Sequence, residues 1–99
     1  SVRCRDILYL LSEGNYMVYN LDTGESIKIR GTMRDTEKEM ENYHFVRIHK
    51  RILVNMNYIR TIDHAKNAVC GEKIGCLEIG RNYKRDVLEK YFAYSRSTL

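Results

Sequence analysis

The residues of this chain most suited to chemistry lie at positions 45–59, which read FVRIHKRILVNMNYI. The stretch contains cationic and amide side chains and no Asp or Glu. Its apolar residues alternate with polar ones, which is typical of a half-buried strand. Such a strand would hold Arg47, His49, Lys50 and Arg51 on a rigid framework, as the binding of an anionic polymer requires. The alternative is a solvated basic strand face without a binding role.

Three segments supply cationic, amide or phenol side chains at points where a predicted strand gives way to a loop. Arg and Lys can read guanine and Asn can read adenine in the major groove, and phosphates accept hydrogen bonds from all of these side chains. The segments therefore form a candidate site for double-stranded DNA. Its residues are Asn15 and Tyr16, then His49, Lys50 and Arg51, and finally Arg81, Asn82 and Lys84.

Several of these cationic and amide residues also have a structural interpretation that the sequence leaves open. His49 follows an apolar position and could be a core histidine bonded to the backbone. Asn55 could hold a turn, and Arg47 could form a surface ion pair with an acid of the first helix. Arg81 could simply begin the last helix, and Lys84 could be a solvated helix charge.

Apolar periodicity predicts a mainly β fold with two short helices. Strands are expected at residues 7–11, 16–21, 26–30, 45–48, 52–56, 58–63, 68–70 and 76–79. The first helix is expected after the cap residue Thr32, with Asp35 in its first turn. The second has residues at helical spacing that are expected to face the core: Tyr83, Val87, Leu88, Tyr91 and Phe92. Residues 95–99 are expected to fray.

Length and composition predict a single globular domain over residues 1–99. With 43% hydrophobic and 30% charged residues, the 99-residue chain can build one core.

No apolar run approaches the ~20 residues that cross a bilayer, so no membrane association is expected. The absence of a signal-peptide pattern favours a cytoplasmic location. The abrupt basic start suggests a piece cut from a longer protein.

The charge is moderately basic and segregated along the chain. The formal net charge is +4, which is compatible with nucleic-acid binding. Residues 43–61 carry four Lys or Arg and no acid, whereas residues 35–41 carry four acids and one Lys. This segregation is expected if one face meets phosphates and another does not.

No constellation of residues indicates catalysis or metal binding. The sequence has no recognisable nucleophile with its base, no phosphate-binding glycine loop and no Cys-x-x-Cys pair among three cysteines. We therefore expect no enzyme activity, no cofactor and no metal. Cys70 and Cys76 flank a turn and could face each other across a hairpin, where a reducing cytosol would keep them as thiols.

Four blocks of the sequence resemble, in order, the signature of the LytTR family of bacterial DNA-binding domains. They are DILYL at 6–10, EGNY at 13–16, FVRIHKR at 45–51 with VN at 54–55 and YI at 58–59, and GRNY at 80–83. The resemblance implies an elongated antiparallel β fold whose loops and strand edges touch successive major grooves. It places Arg81 at a base-contacting position, Lys50 at a DNA-facing position and Asn15 in the first loop.

The same resemblance implies the output domain of a response regulator in a two-component system. Such a domain follows a receiver domain and binds promoter direct repeats in pairs, as a possible homodimer on DNA. Two departures from the signature leave open a different target sequence. Lys50 and Arg51 replace the usual Arg-Ser, and Gly80 stands where Ser is usual.

A protein-interaction module is the alternative function, because an exposed sheet edge can recruit a strand from a partner. The dependence of binding affinity on salt concentration distinguishes the two functions. DNA binding should weaken steeply as salt rises, whereas strand addition should not.

Overall fold

Eight strands and two α-helices account for most of residues 2–98, the part of the chain that the computed structural model describes. In chain order they are β1 Ile7–Glu13, β2 Tyr16–Leu21, β3 Ser26–Arg30, α1 Met33–Met40, β4 Phe45–His49, β5 Ile52–Asn55, β6 Thr61–Asp63, β7 Ala68–Gly71, β8 Gly75–Glu78 and α2 Lys84–Ser97. The mainly β fold with two short helices is confirmed, although several strand ends differ from the predicted ones by a few residues.

All strand pairs are antiparallel. Five strands form one sheet in the order β3-β2-β1-β5-β4, and three form a second sheet in the order β6-β7-β8. The elongation implied by the family resemblance is slight, because the described chain measures 32 × 27 × 23 Å along its principal axes. The helices and the second sheet pack on the larger sheet and widen the molecule.

Each face of the larger sheet has its own apolar cluster, and the sheet is exposed toward its β3 edge. On one face, Leu10, Met17 and Leu53 pack against Met33 and Met40 of α1. The other face packs against the second sheet and α2. Its buried residues include Val46, Ile48, Val54, Val69, Ile79 and Val87. Because strand side chains alternate between faces, the register fixes which polar residues point away from each cluster.

The start of α1 follows the predicted cap. The Thr32 hydroxyl accepts a hydrogen bond from the Asp35 amide at 3.2 Å, which satisfies one of the free amides of the first turn. Met33, Thr36 and Met40 are buried, so a narrow stripe holds the helix on the sheet. The remaining surface of α1 is polar and includes exposed acids.

The C-terminal helix α2 is fixed by Val87, Tyr91 and Tyr94. Val87 is fully buried, the Tyr91 hydroxyl donates to the Ile59 carbonyl at 3.0 Å, and the Tyr94 hydroxyl donates to the Asn57 side chain. Burial raises the pKa of Tyr94 above the ordinary value of a tyrosine, which itself lies well above neutral pH, so the hydroxyl is protonated and donates.

Two predictions for the C-terminal helix are wrong. Phe92 is 64% exposed rather than buried in the core, because it falls outside the stripe that packs on the sheet. The helix continues to Ser97, past the predicted point of fraying, and Leu99 lies outside the described residues. No helix within residues 2–98 is long and apolar enough to cross a membrane.

The prediction that Cys70 and Cys76 are thiols is also wrong. Cys70 and Cys76 are direct cross-strand partners in β7 and β8, with their Cα atoms 4.2 Å apart. Their sulfurs form a disulfide in the structure, whereas the sequence predicted two thiols. The close approach of directly opposed residues in an antiparallel pair explains the bond. Cys4 is a free cysteine.

Asn55 ends β5 and holds the turn after it, as its structural interpretation predicted. Its side chain is fully buried. The side-chain oxygen accepts from the Asn57 amide at 3.0 Å, and the side-chain nitrogen donates to the Ile7 carbonyl at 3.0 Å. This turn breaks the strand that the sequence predicted at residues 58–63, so that β6 begins only at Thr61.

We expect Asn55→Ala to lower the free energy of unfolding by roughly 1–3 kcal/mol, because it leaves buried backbone groups without partners. Asn55→Asp should cost more, since a carboxylate cannot donate to the Ile7 carbonyl. Urea denaturation measures both. Asn82→Ala, at an exposed amide, is the matched control. Equal stability of the Asn55 variants and the control would contradict this account.

Candidate nucleic-acid interface

Two of the predicted DNA-binding segments lie at the same end of the five-stranded sheet. Leu11 near the end of β1 pairs with Ile52 at the start of β5, so the β1–β2 and β4–β5 turns are neighbours. Ser12 and Arg51 join them. The Ser12 amide donates to the Arg51 carbonyl at 2.9 Å, and Arg51 Nε donates to the Ser12 carbonyl at 2.9 Å.

The third segment reaches this end through Gly80. Its amide donates to the carbonyl of Ile48 at 2.7 Å, which ties the chain after β8 to the end of β4. A Cβ on Gly80 would lie 3.1 Å from the Tyr83 ring and 3.5 Å from the His49 ring. Glycine thus permits a close approach that places the exposed Arg81 and Asn82 beside the β4–β5 turn.

The structure therefore brings all three predicted segments to one end of the molecule. Between the strands β2 and β4 lie β1 and β5. With about 4.8 Å between neighbouring strands, the two turns extend over roughly 15 Å. Asn15, Tyr16, Lys50, Arg51, Arg81 and Asn82 are exposed there, whereas Lys84 is half-buried.

Arg47 fixes the shape of the β4–β5 turn. Its guanidinium donates to the Lys50 carbonyl at 2.7 Å and to the His49 carbonyl at 3.3 Å. It also meets Glu37 of α1 at 3.2 Å and lies over the Tyr83 ring, 5.3 Å from the centroid. The predicted pair with an acid of the first helix is confirmed. The contacts with the turn were not foreseen.

His49 has the backbone contact that one of its interpretations predicted. Its Nδ1 accepts a hydrogen bond from the Arg51 amide at 3.2 Å, and the ring is half-buried. The neutral ring then carries its proton on Nε2, which makes that atom a donor. His49 therefore shapes the turn and presents a polar edge to the cleft beside it.

A cleft of about 560 Å³ connects the third segment with the β6–β7 turn. Its lining includes His49, Arg81, Lys84 and Lys66, together with the acid Glu78. The Lys84 ammonium donates to the side-chain oxygen of Asn67, which also lines the cleft. Lys66 and Asn67 were not among the predicted site residues, although the sequence placed them in a loop.

The first segment has cationic neighbours that were also missed. Gly14, with φ at 58°, forms the turn that exposes Asn15 and Tyr16. Lys28 and Arg30 of β3 lie over the Tyr16 ring, 5.4 and 5.8 Å from its centroid. The alternation of residues in β3 could have indicated these neighbours, because it places the two cations on one face and the isoleucines on the other.

Within the described residues, no group of His, Cys, Asp and Glu is arranged to hold a metal ion. The interface instead presents guanidinium, ammonium, imidazole, amide and phenol groups. These groups can donate to phosphates, and the guanidinium, ammonium and amide groups can also read base edges.

Comparison with known proteins agrees with this chemistry. The sequence model of the LytTr DNA-binding domain family matches residues 1–91, and the chain belongs to that family. The family consists of DNA-binding domains that serve transcription regulation. The coarser prediction of a DNA-binding regulator domain is thereby confirmed.

A solved structure supports the fold. The chain resembles one described as the LytTr DNA-binding domain of a methyl-accepting/DNA response regulator from Bacillus cereus. The TM-score is 0.75 at 17% identity, covering 92% of this chain and 84% of that one. No curated protein matches the chain.

We expect Arg47→Lys to lower the free energy of unfolding by roughly 1–3 kcal/mol, because an ammonium cannot reproduce the forked contacts with two carbonyls and Glu37. Amide resonances of residues 49–51 should shift in the NMR spectrum. Arg34→Lys, on the exposed surface of the same helix as Glu37, is the control. If the two variants melt alike and the turn resonances stay in place, Arg47 does not hold the turn.

Proposed function

We propose that this chain binds double-stranded DNA with sequence preference and acts as the output domain of a transcription regulator. The observation that carries the proposal is the convergence of the three predicted DNA-binding segments, two of which are cationic, at one end of the sheet. Family membership supports DNA binding in general, while the geometry supports these particular residues as the ones that bind.

The segments divide into groups suited to reading bases and groups suited to holding phosphates. Lys50 is exposed in a turn fixed by Arg47, and Arg81 follows the anchored Gly80, so both are aimed by rigid backbone. We propose that they read bases together with Asn15. Tyr16, His49, Arg51, Asn82 and Lys84 then hold the phosphate backbone and fix the register.

The interface consists mainly of turns and strand ends, with Lys84 at the first residue of α2, and α1 presents no recognition surface. The exposed side of α1 carries acids, which phosphates repel. We propose that the turns enter the major groove, and that two copies occupy direct repeats in a promoter, as a homodimer on DNA. We further propose that the chain is a single domain of a cytoplasmic response regulator that also has a receiver domain.

A strand-addition module is less well supported by the sheet edges. The edge strand β3 carries Lys28 and Arg30, and charged side chains on an edge disfavour pairing with another strand. Salt dependence tests the two functions against each other.

We expect the domain to bind duplex DNA with an affinity that falls steeply as salt rises. The slope of log affinity against log salt should be about −0.9 for each phosphate contact, because each contact releases condensed counterions. Fluorescence anisotropy from 50 to 200 mM salt measures it. No binding at low salt, or a flat response, contradicts the proposal.

Base reading by Arg81 can be separated from phosphate holding by Lys84. We expect Arg81→Ala to cost roughly 1–3 kcal/mol on a cognate duplex selected from a random pool, and much less on a scrambled duplex. Lys84→Ala should weaken binding to both duplexes alike and reduce the salt slope by about one unit.

Asn67→Gly is the control for the Lys84 contact, because it removes the hydrogen-bond partner of Lys84, keeps the charge and tolerates the φ of 51° at this position. Its salt slope should match that of the unmodified chain. Equal losses on both duplexes for Arg81→Ala would assign Arg81 to the phosphates and leave base reading to Lys50 or Asn15.

A further inference from the structure

The edge strand β3 presents two cations on one face. Arg30 pairs with Tyr16 across the β2–β3 ladder, and Lys28 pairs with Val18. Cross-strand partners share a face, so both cations stand on the face that carries the Tyr16 ring. Both are exposed and lie within 6 Å of the ring centroid, at 5.4 and 5.8 Å. The alternate residues of β3 face the side where α1 packs.

The end of β3 is held against the first DNA-binding segment. The Gly31 amide donates to the Asn15 carbonyl at 2.9 Å, directly after Arg30. Arg30 therefore has a fixed position beside Asn15 and Tyr16. It lies at the outer edge of the sheet, four strand spacings or about 19 Å from β4.

This separation suits a duplex whose groove receives the turns. The major groove is about 12 Å wide, and its walls are the phosphate backbones. A surface about 19 Å across therefore extends beyond the groove and meets a wall. If the β4–β5 turn lies over the bases, the β3 edge is far enough across the groove to lie next to the phosphates that flank it.

The two cations differ in how their charge is compensated. The Lys28 ammonium lies 3.4 Å from a Glu13 carboxylate oxygen, and both side chains are about half exposed. Among the salt bridges of residues 2–98, none includes Arg30. Arg30 thus presents its full charge, while Glu13 offsets the charge of Lys28 and faces an approaching phosphate with a charge of the same sign.

We propose that the β3 edge is a further phosphate-binding surface for the same duplex. Arg30 binds a phosphate flanking the base-reading turns, the Tyr16 ring holds the two cations in place, and Glu13 lowers the affinity for every duplex. The proposal rests on the proposed DNA-binding function. It assigns to this edge an affinity without sequence preference, because the groups involved meet only the backbone.

The test compares the unmodified chain with Arg30→Gln, Arg30→Lys and Glu13→Gln on cognate and scrambled duplexes. Arg96→Gln is the matched control. Arg96 also lies over an exposed aromatic ring, 5.4 Å from the Phe92 centroid. It is 12 residues after Lys84 on α2, and therefore about 18 Å along the helix from the interface. Thermal melting followed by circular dichroism verifies that each variant is folded.

Arg30→Gln should weaken binding to both duplexes alike and reduce the salt slope by about 0.9, which is one phosphate contact. Its loss of affinity should then be about 3.5-fold larger at 50 mM than at 200 mM salt. Arg30→Lys should retain the slope. Glu13→Gln should raise the affinity for both duplexes and steepen the slope, because it leaves Lys28 uncompensated.

An Arg30→Gln slope equal to that of Arg96→Gln, in a chain that still binds DNA steeply, overturns the proposal for β3 and leaves the DNA-binding function intact. Unchanged affinity in Glu13→Gln overturns the role of Glu13. If the unmodified chain binds neither duplex, the DNA-binding function itself fails, and the proposal for β3 fails with it.

Discussion

The arrangement of the interface depends on the guanidinium of Arg47. The side chain is only 23% exposed, and a charge so far removed from water needs partners that replace its hydration. Those partners are the two carbonyls of the β4–β5 turn, the carboxylate of Glu37 and the face of Tyr83. One planar group thereby connects α1, the turn that bears Lys50 and the segment that follows Arg81.

The turns of a recognition surface must be held in fixed positions. Here the hydrogen-bonded antiparallel strands hold them. In a strand, a slip of one residue exchanges the two faces. The apolar clusters on both faces of the sheet therefore lock the register, and with it the grouping of Tyr16, Lys28 and Arg30. The bonds between Ser12 and Arg51 then align one turn with the next.

The sequence predicts the features that depend on local periodicity, such as the strands. It does not predict contacts between residues that are distant in the chain. Alternation predicted the strands, and residue type at strand ends predicted the three segments. The hydrogen bond between Gly80 and Ile48 joins residues 32 positions apart, and no local pattern indicates it. Helical spacing alone could not show that Phe92 falls outside the stripe that packs on the sheet. The pairing of Cys70 with Cys76 depends on the register of β7 and β8.

Charge placement explains how a chain with only a modest basic excess can favour DNA at one end. Apart from Glu37, which pairs with Arg47 beside the β4–β5 turn, the acids of α1 lie on the side of the sheet opposite Tyr16 and Lys28, and layers pack about 10 Å apart. The Debye length is ≈ 8 Å at physiological ionic strength, so their repulsion is largely screened at the opposite face. Glu13 differs because it lies on the same face as Tyr16 and Lys28, the face that we propose meets the DNA backbone. An acid there reduces affinity for all duplexes equally, which leaves base contacts as the source of any preference between sequences.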